Sequence, residues 1–374
     1  MRVIISGGGT GGHIYPGLAV ARSLEEKYER VEILFVGTAD GLEADIIPKA
    51  GYELQTIKAE GFARRISLQL IKAVTKTGIG VIESFQILKD FGPDLVLGTG
   101  GYVCGPIVLA AALKNTPTII HEQNAYPGLT NRLLAKVVDK VALSNEAAQD
   151  YFKEEDKITI TGNPIRPEIL AKEEKVAYQE LNLKAGPKTI LVFGGSRGAK
   201  SINQALLGVY QHLKQLNVQV LHVTGKKDFD RIAAKAKERG INDFESGKIR
   251  IKSYLYNMEA ALSAADLVIS RAGATGLAEI TASGLPAILI PYPHATDNHQ
   301  AHNARALEEE GAARVILDKD LTADKLWSLL EELLDDEAEL RRMSQASLAA
   351  GEPQAAEKLV GEIEKAVTSK VKKQ

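Results

Sequence analysis

Residues 2–13 read RVIISGGGTGGH, a short apolar run that breaks into glycines and ends on a histidine. The run of Val and Ile predicts a buried strand, and the glycines after it let a phosphate approach the backbone at the start of a helix. Residues 188–199, KTILVFGGSRGA, repeat this order near the middle of the chain. Two such units predict two domains that are built alike.

Short apolar runs alternate with helical patterns along both halves of the chain. This alternation is typical of parallel sheets with helices on both faces, so the fold class is α/β with two doubly wound domains. Ligands of open α/β sheets bind beyond the carboxyl ends of the strands, and we expect a site in a cleft between the domains. The predicted strands are 2–6, 31–36, 53–58, 94–97, 117–121 and 139–142, then 188–193, 218–223, 266–270 and 286–291.

The rhythm of strands and helices is interrupted near residue 164. Pro164 and Pro167 are three residues apart and prevent a regular helix or a central strand. We therefore predict an N-terminal domain over residues 1–163 and a C-terminal domain over residues 164–350. Residues from about 351 to 374 read as a helix with a basic tail, which we expect to pack back on the N-terminal domain.

The composition excludes several classes of protein. The 374 residues include 46 basic and 48 acidic side chains, a formal net charge of −2, which argues against a nucleic-acid binder because phosphate contacts need clustered cations. Cys104 is the single cysteine, so an intrachain disulfide and a cysteine metal cage are excluded and a reducing compartment is expected. The apolar run at the N-terminus is too short for a signal peptide, which needs roughly 7 to 15 residues.

Glycines follow two of the predicted strands in the first half. Gly7, Gly9 and Gly12 satisfy the GxGxxG spacing, and residues 98–102, GTGGY, form a second flexible turn. Tight packing of strand against helix explains either turn alone, but two such loops at one sheet edge favour a diphosphate ligand. His13 lies on the first helical turn, where an anion would lie; a helix residue bonded to backbone is the alternative interpretation.

Polar residues also close the fifth predicted strand. Residues 121–124 read HEQN and lie at the same sheet edge as the two glycine turns. Four polar side chains after a buried strand are seldom needed for packing. We therefore interpret this segment as part of a ligand site.

The second half carries residue types suited to a nucleotide sugar. The amides of residues 194–199 and Ser196 offer donors to a phosphate at a helix N-terminus, and Arg166 adds a fixed positive charge. Glu279 follows a glycine turn and is suited to a ribose diol, while Gln300 can donate to and accept from sugar hydroxyls. Either of the last two alone is also typical of a helix cap or a surface residue; together they predict a nucleotide-sugar pocket.

No metal site or cofactor is predicted. His294, His299 and His302 lie close in sequence, but no HExxH motif and no convergent acids accompany them. No acidic DxD stands where a cation would neutralise a diphosphate. Helix ends, Ser196 and Arg166 would then meet the phosphate charge, and the dependence on divalent ions stays open.

Residues 61–82 combine four basic side chains with many apolar ones and contain no acid. Such a segment is typical of a helix that lies in the surface of an anionic membrane. An ordinary helix that packs its apolar side on the sheet is the alternative, although the apolar residues point too many ways for one inward face. The predicted membrane patch consists of Arg64, Arg65, Leu68, Ile71, Lys72, Val74, Lys76 and Ile79.

Seven motifs in chain order resemble the MurG family of membrane-associated N-acetylglucosaminyltransferases. The resemblance implies the GT-B fold, two Rossmann-like domains, and transfer of GlcNAc from UDP-GlcNAc to lipid I, which gives lipid II. It also implies a peripheral protein on the cytoplasmic face of the bacterial membrane, with cell-wall or division machinery as partners. The motifs are GGGTGGHIYPGLAVA (7–21), GTGGYVCGP (98–106), HEQNAYPGLTNRLLA (121–135), TGNPIR (161–166), GGSRGAKSIN (194–203), RAGATGLAE (271–279) and IPYPHATDNHQ (290–300).

The resemblance also implies roles for matching residues. His13 would be the base, and Arg166 and Ser196 would contact the donor phosphates. Two positions depart from the family pattern: Gly276 stands where a hydroxyl residue is expected, and Arg197 replaces a commoner glutamine. Further donor contacts would come from Thr10, Gly11, Gly12, Asn124, the backbone at Leu255, Ala274, Thr275, Gly276, Leu277, Ala278, Glu279 and Gln300, and the acceptor diphosphate would lie at Gly9, Thr10, Gly100, Gly101 and Tyr102.

Three other functions compete with this interpretation. A soluble UDP-sugar epimerase or another transferase shares the two-domain plan, but the turn at 98–102 and the basic apolar stretch at 61–82 argue against the epimerase. An NAD-dependent oxidoreductase needs an acid at the end of the second strand to bind the ribose of NAD. The candidate here, Asp40, lies a little beyond that position. A non-catalytic nucleotide-sugar sensor or membrane scaffold would not need His13, Asn124, Glu279 and Gln300 together.

Overall fold

The computed structural model describes residues 1–61, 68–195 and 198–371. It divides into two compact units, one of Met1–Arg166 with Pro353–Gln374 and one of Pro167–Glu352. The break between Arg166 and Pro167 lies three residues beyond the predicted boundary. The C-terminal helix belongs to the N-terminal unit.

The N-terminal unit contains a seven-stranded parallel sheet in the order β3-β2-β1-β4-β5-β6-β7. Two 3₁₀ turns, Glu146–Tyr151 and Glu155–Lys157, precede its last strand. The strands are β1 Arg2–Gly7, β2 Glu32–Gly37, β3 Glu53–Thr56, β4 Leu95–Gly100, β5 Thr118–Glu122, β6 Lys140–Leu143 and β7 Ile158–Ile160; the helices are α1 Gly11–Lys27, α2 Glu43–Lys49, α3 Leu68–Phe91, α4 Cys104–Leu113 and α5 Leu129–Leu134.

The C-terminal unit contains a six-stranded parallel sheet in the order β10-β9-β8-β11-β12-β13. Its strands are β8 Lys188–Phe193, β9 Val218–Val223, β10 Ile249–Lys252, β11 Leu267–Ser270, β12 Ala287–Leu289 and β13 Ala313–Val315. Its helices are α6 Glu168–Ala171, α7 Glu174–Glu180, α8 Lys200–Gln215, α9 Phe229–Glu238, α10 Met258–Ser263, α11 Ala274–Ala282, α12 His299–Glu309, α13 Ala323–Asp335 and α14 Glu337–Ala350, with 3₁₀ turns at Thr296–Asn298 and Asp318–Asp320. The last helix of the chain, α15 Ala355–Val371, follows.

Helices cover both faces of each sheet, as a parallel sheet requires. In the N-terminal unit α3, α4 and α5 pack on one face, while α1 and α15 pack on the other. Helix α15 buries Leu359, Val360 and Ile363 completely. Each such side chain contributes about 1.5–3 kcal/mol to stability, which ties the end of the chain to the N-terminal unit. In the C-terminal unit α8, α9 and α13 share one core with β8.

The prediction of two parallel-sheet α/β domains is confirmed, and three strands were missed. These are β7, β10 and β13, and each lies at the edge of its sheet. They are three or four residues long and mix polar with apolar side chains, so they lack the continuous apolar run that marks a central strand.

The strand order reverses once in each sheet, and this positions the ligand loops. In the N-terminal sheet β1 lies beside β4, and in the C-terminal sheet β8 lies beside β11. In each sheet the connections from its two strands leave the carboxyl edge in opposite directions and open a crevice at that edge. All four glycine-rich motifs of the sequence follow one of these strands.

Candidate active site

The two glycine loops of the N-terminal unit interlock at the reversal point. The hydroxyl of Thr99 donates to the carbonyl of His13 at 2.7 Å. A Cβ atom on Gly101 would lie 2.6 Å from the carbonyl oxygen of Gly8, and Gly100 and Gly101 have φ angles of +107° and +78°. Only glycine fits both the space and the left-handed backbone here. The predicted cradle is therefore a pair of loops in direct contact.

A buried carboxylate, which the sequence interpretation missed, supports the first loop. Glu43 is fully buried and accepts hydrogen bonds from the amide of Gly9 at 3.0 Å, the amide of Thr38 at 3.1 Å and the hydroxyl of Thr38 at 2.6 Å. The Gly9 amide, expected at the acceptor diphosphate, thus holds the loop to Glu43 in this conformation. The signal was an acid at the start of the helix after β2.

His13 lies on the first turn of α1 and is half-buried. Its Nδ1 lies 2.9 Å from Oε1 of Gln123, so the ring bonds to a side chain at the end of β5. The turn formed by Gly100 and Gly101 covers the ring: a Cβ atom on Gly100 would lie 2.7 Å from its Nδ1. The imidazole is therefore held in one orientation between two glycine loops.

Three of the four residues in the HEQN segment face inward. Glu122 is 1% exposed, and its two carboxylate oxygens accept four hydrogen bonds of 2.9–3.0 Å from three residues, Asn124, Gly128 and Asn131. His121 and Gln123 are buried as well. Asn124 alone is partly exposed. Most of the segment forms an internal network, and the partly exposed Asn124 is the one residue of it that was predicted to contact the donor.

Arg166 lies beside the first glycine loop. Its guanidinium carbon is 5.8 Å from the ring centre of Tyr15, and that ring lies 3.1 Å from the Cβ position of Gly11. Nearby in sequence, Asn163 is 6% exposed, and among the described residues its amide oxygen and nitrogen have no hydrogen-bond partner. A buried unpaired amide is costly, about 1–3 kcal/mol, so Asn163 is a further site candidate that the TGNPIR motif already contained.

A third glycine-rich loop follows β8 and lies in the C-terminal unit. Gly198 has φ +75°, and a Cβ atom there would lie 2.2 Å from the carbonyl oxygen of Thr224. A Cβ atom on Gly194 would lie 2.2 Å from the amide nitrogen of Ala199. The loop is therefore packed backbone to backbone at the start of α8. The predicted phosphate ligand Ser196 and its neighbour Arg197 lie outside the described residues.

Helices α11 and α12 bring the predicted sugar and ribose residues to the same sheet edge. Glu279 is 8% exposed on the second turn of α11. Gln300 accepts a hydrogen bond from the amide of Tyr292 at 2.9 Å, and its Nε2 lies 3.9 Å from the Cβ position of Gly273. Leu277, predicted to line the nucleotide, is 6% exposed and its side chain packs inward. The remaining predicted residues, Ala274, Thr275, Gly276, Ala278 and, beyond β10, Leu255, are partly exposed.

Matches to two domain families and to a relative of nearly the same length show which family the chain belongs to. The glycosyltransferase family 28 N-terminal domain matches residues 3–143, and its C-terminal domain matches residues 189–359. A Desulforamulus reducens protein is 50% identical over 366 residues, which cover 98% of each chain. It is named UDP-N-acetylglucosamine--N-acetylmuramyl-(pentapeptide) pyrophosphoryl-undecaprenol N-acetylglucosamine transferase. A crystal structure of MurG from Acinetobacter baumannii matches with a TM-score of 0.76 and 29% identity over 97% of this chain and 99% of that one. The chain belongs to the MurG family.

The epimerase alternative shares only the fold. A UDP-GlcNAc 2-epimerase from Neisseria meningitidis matches with a TM-score of 0.69 over 98% of this chain and all of its own, at 14% identity. A sequence identity of 14% supports a shared two-domain GT-B fold and supports nothing about activity. Membership in the MurG family makes this chain a glycosyltransferase and sets aside the oxidoreductase and scaffold interpretations.

Arg271, in one of the MurG-family motifs, holds neighbouring segments of the C-terminal unit together, and the sequence did not predict this role. Arg271 donates to the carbonyls of Ile290 and Pro291 at 3.0 and 3.1 Å, to Asp318 at 2.6 Å and to the hydroxyl of Ser201 at 2.9 Å. It thereby connects the start of α8, the end of β11 and the loop after β12. The signal was its place as the first residue of RAGATGLAE.

The predicted membrane patch is described only in part. Arg64 and Arg65 lie outside the described residues, as do the side chains of Leu68, Ile71, Lys72 and Val74. Lys76 forms an ion pair with Glu60 at 2.8 Å, so an acid just before the segment neutralises one of its cations. Ile79 is 37% exposed, and Ile82 one turn later is 71% exposed. Among the described residues no helix has the length and apolar character to cross a membrane.

The histidines near α12 are not grouped as metal ligands. Nδ1 of His299 lies 2.7 Å from the carbonyl oxygen of Thr296, and the ring of His294 packs edge-on against Tyr292 at 5.6 Å. Within the part of the chain that the structure describes, no group of three or more His, Cys, Asp or Glu is placed to hold a metal ion.

Proposed function

We propose that the protein is an inverting glycosyltransferase that moves GlcNAc from UDP-GlcNAc to the 4-hydroxyl of lipid I, MurNAc-pentapeptide-diphospho-undecaprenol, and so forms lipid II. The observation that carries this proposal is the 50% identity over 98% of the chain to a relative named for that transfer. The two glycine loops around His13 and the nucleotide-sugar residues of the C-terminal unit agree with it.

The reaction is a single displacement in which His13 is the base. The 4-hydroxyl of the acceptor attacks the anomeric carbon of α-linked UDP-GlcNAc from the face opposite UDP. The new C–O bond forms as the bond to UDP breaks, the electron pair leaves with UDP, and the imidazole takes the hydroxyl proton. A neutral imidazole is a suitable base at physiological pH, and general base catalysis typically contributes about 10²–10⁴-fold.

The donor would be held by the carboxyl edge of the C-terminal sheet. The backbone after β8 at the start of α8, with Ser196, would face the diphosphate, and Arg166 would add positive charge. Such donors stabilise the developing charge on UDP more in the transition state than in the ground state. Glu279 would accept the ribose hydroxyls, the backbone at Leu255 would contact the uracil, and Gln300 would bind the GlcNAc.

The acceptor would be held by the N-terminal unit. Thr10, Gly100, Gly101 and Tyr102 surround the first turn of α1, where helix dipole and amides favour an anion. Burial raises the pKa of the Tyr102 phenol, so its hydroxyl stays a hydrogen-bond donor. These groups would bind the diphosphate of lipid I near His13.

The lipid of the acceptor requires a membrane surface, and we place the protein peripherally on the cytoplasmic face. Helix α3 supports this placement, because Ile79 and Ile82 expose apolar side chains just beyond the basic segment 64–76. Basic residues near an anionic surface contribute about 1 kcal/mol each. Partners from the cell-wall and division machinery are proposed on the family resemblance alone.

An assay of UDP release tests the transferase activity. Purified protein is incubated with UDP-GlcNAc and a short-chain lipid I analogue, and UDP and the β-linked disaccharide product are measured together. We expect UDP only when the acceptor is present. Conversion of UDP-GlcNAc to its 2-epimer without acceptor would replace the transferase by an epimerase.

His13→Ala tests the base. We expect kcat to fall by about 10²–10⁴ while UDP still binds, because the C-terminal unit carries the nucleotide site. His212→Ala, at an exposed position on α8, is the matched control and should keep full turnover. An unchanged kcat in His13→Ala would remove His13 from the mechanism.

Vesicle binding tests the membrane surface. Wild-type protein should co-sediment with vesicles that contain anionic lipid and much less with zwitterionic ones. The double change Ile79→Glu and Ile82→Glu should reduce this binding because it places two negative charges on the exposed face of α3. Leu170→Glu, at another exposed apolar position, is the control. Equal binding of all three proteins would refute the assignment of this face.

A further inference from the structure

A chain of hydrogen bonds runs inward from His13 to the backbone near the end of the N-terminal sheet. Nδ1 of His13 meets Oε1 of Gln123 at 2.9 Å, and Nε2 of Gln123 meets Nδ1 of His121 at 2.9 Å. On the far side, Nε2 of His121 lies 3.0 Å from the carbonyl oxygen of Gly162. Gln123 is 4% exposed and His121 is fully buried, so water does not compete for these contacts.

Two backbone carbonyls determine the direction of every bond in this chain. Nε2 of Gln123 also lies 2.7 Å from the carbonyl oxygen of Thr99, which can only accept, so this end of the amide is the NH₂ group. Its oxygen therefore faces His13, and Nδ1 of His13 must donate. At the other end the carbonyl of Gly162 requires a proton on Nε2 of His121, which leaves Nδ1 of His121 to accept from Gln123. The constraint from Thr99 and the constraint from Gly162 therefore give the same result, that Nε2 of Gln123 donates to Nδ1 of His121.

We propose that Gln123 is a positioning residue that, backed by His121, holds neutral His13 as its Nδ1–H tautomer and leaves Nε2 unprotonated to accept the acceptor hydroxyl's proton. The proposal rests on the proposed transferase mechanism only for the use of that nitrogen. When Nε2 takes the proton, the bond from Nδ1 to the Gln123 oxygen becomes charge-assisted and stabilises the imidazolium. An amide here fixes the tautomer without adding a negative charge to a site that must bind diphosphates.

Burial keeps the inner histidine of this hydrogen-bond chain, His121, in one protonation state. Burial lowers the pKa of His121 to about 4, so this ring is neutral at physiological pH and cannot reverse the chain by taking a proton. Burial raises the pKa of Cys104, whose thiol donates to Gly101, to about 12. Among the described residues, the titratable and charged groups that these contacts place around His13 and its two loops are Tyr15 on α1, Glu43 behind the first loop, Tyr102 and Cys104 after β4, His121 and Glu122 on β5, and Arg166 after β7.

Nitrogen NMR on the wild-type protein tests the tautomer without measuring activity. The protein is labelled with ¹⁵N at both ring nitrogens of its seven histidines, and the His13 and His121 signals are identified by their loss in His13→Ala and His121→Asn. We expect opposite tautomers at neutral pH, Nδ1–H for His13 and Nε2–H for His121. A His13 ring protonated on Nε2 would overturn the proposal.

Two substitutions at Gln123 separate positioning from mere packing. Gln123→Leu removes the acceptor for Nδ1–H, and we expect kcat to fall by about 10² or more with the KM for UDP-GlcNAc unchanged. Gln123→Glu keeps an acceptor, so it should restore most of kcat at alkaline pH. The acid limb of its rate profile should move to higher pH, because the added carboxylate favours the protonated ring. Gln149→Leu, exposed in the same unit, is the control.

The outcomes distinguish this proposal from the proposed function. Full kcat in Gln123→Leu with an unchanged pH profile, or equal losses in Leu and Glu variants with no shift of the acid limb, would overturn the positioning role. If His13→Ala keeps its turnover, the base assignment fails, while the tautomer measurement still reports on the hydrogen-bond chain. Should Gln123→Leu not fold, the wild-type spectrum alone decides.

Discussion

Glu279, at the carboxyl edge of the C-terminal sheet, allows a direct test of the proposed donor site. Glu279 lies on the second turn of α11 with 8% of its surface exposed, and a ribose diol can donate two hydrogen bonds to a carboxylate. We expect Glu279→Ala to raise the KM for UDP-GlcNAc about 10- to 100-fold, which corresponds to the loss of a hydrogen bond to a charged group. Glu238→Ala, exposed at the end of α9, should leave KM unchanged. A normal KM in Glu279→Ala would refute the ribose role.

Gly100 and Gly51 form a matched pair for testing the orientation of His13. Both have left-handed backbone, φ +107° and +92°, so an alanine at either position costs about 1–2 kcal/mol of stability. Only at Gly100 does the added Cβ meet the imidazole, 2.7 Å from Nδ1, whereas nothing lies within 4 Å at Gly51. We expect Gly100→Ala to lower kcat more than tenfold and Gly51→Ala to keep it, with both unfolding free energies measured in urea. Equal kcat values would show that the turn does not hold the ring.

The sequence identified candidate site residues better than it identified the residues that support them. His13, Glu279 and Gln300 were selected by residue type and by their place after predicted strands. Glu43 and Gln123 were not, because their roles depend on contacts to residues 34 and 110 positions away. Such contacts exist only once β1, β2, β4 and β5 are side by side.

Arg271 joins the start of α8, the end of β11 and the loop after β12, three segments that adjoin the proposed donor residues. Its side chain is 11% exposed and that of Asp318 is 20% exposed. Since lysine cannot reproduce the planar fork, we expect Arg271→Lys to destabilise the protein by about 1–3 kcal/mol and to raise the KM for UDP-GlcNAc. Arg341→Lys is the control, because that ion pair is 66% and 65% exposed and contributes little. Denaturant unfolding measures both, and equal stabilities would contradict the bracing role.

Central strands followed directly from the sequence pattern, whereas three of the four edge strands did not. Strand β8 was predicted with its observed bounds, residues 188–193, because a strand buried on both faces is a continuous apolar run. Strand β10 reads IRIK, and its Arg250 is 2% exposed because backbone carbonyls from residues 182, 245 and 246 accept its hydrogen bonds. A buried arginine of this kind is invisible to a hydropathy pattern.

Each of the two units contains a buried histidine that is neutral at physiological pH. Burial lowers the pKa of His121 to about 4 and that of His222 to about 3. In the unfolded chain an imidazole titrates near 6.5, so below that pH the unfolded state binds more protons and the folded state loses stability. Each ring should cost about 2 kcal/mol between pH 6.5 and pH 5.

Urea unfolding at pH 7 and pH 5 measures this loss. We expect His222→Gln to show a smaller decrease in unfolding free energy than wild type across this range, although it is less stable at pH 7. The exposed substitution His212→Gln should show the wild-type decrease. The same pH dependence in all three proteins would exclude His222 as a source of acid sensitivity.

Residue order and type were enough to predict the two-domain α/β fold, most of the strands and helices, and the loops proposed to carry function, because apolar periodicity and glycine turns are local properties of the chain. Folding set which strands lie at the reversal points and turned most of HEQN inward. It also decided that Glu43 and Gln123 support the loop and the histidine in front of them. These outcomes depend on contacts between residues far apart in the chain, and the free energy of burying a polar group is set by the partners that folding brings to it.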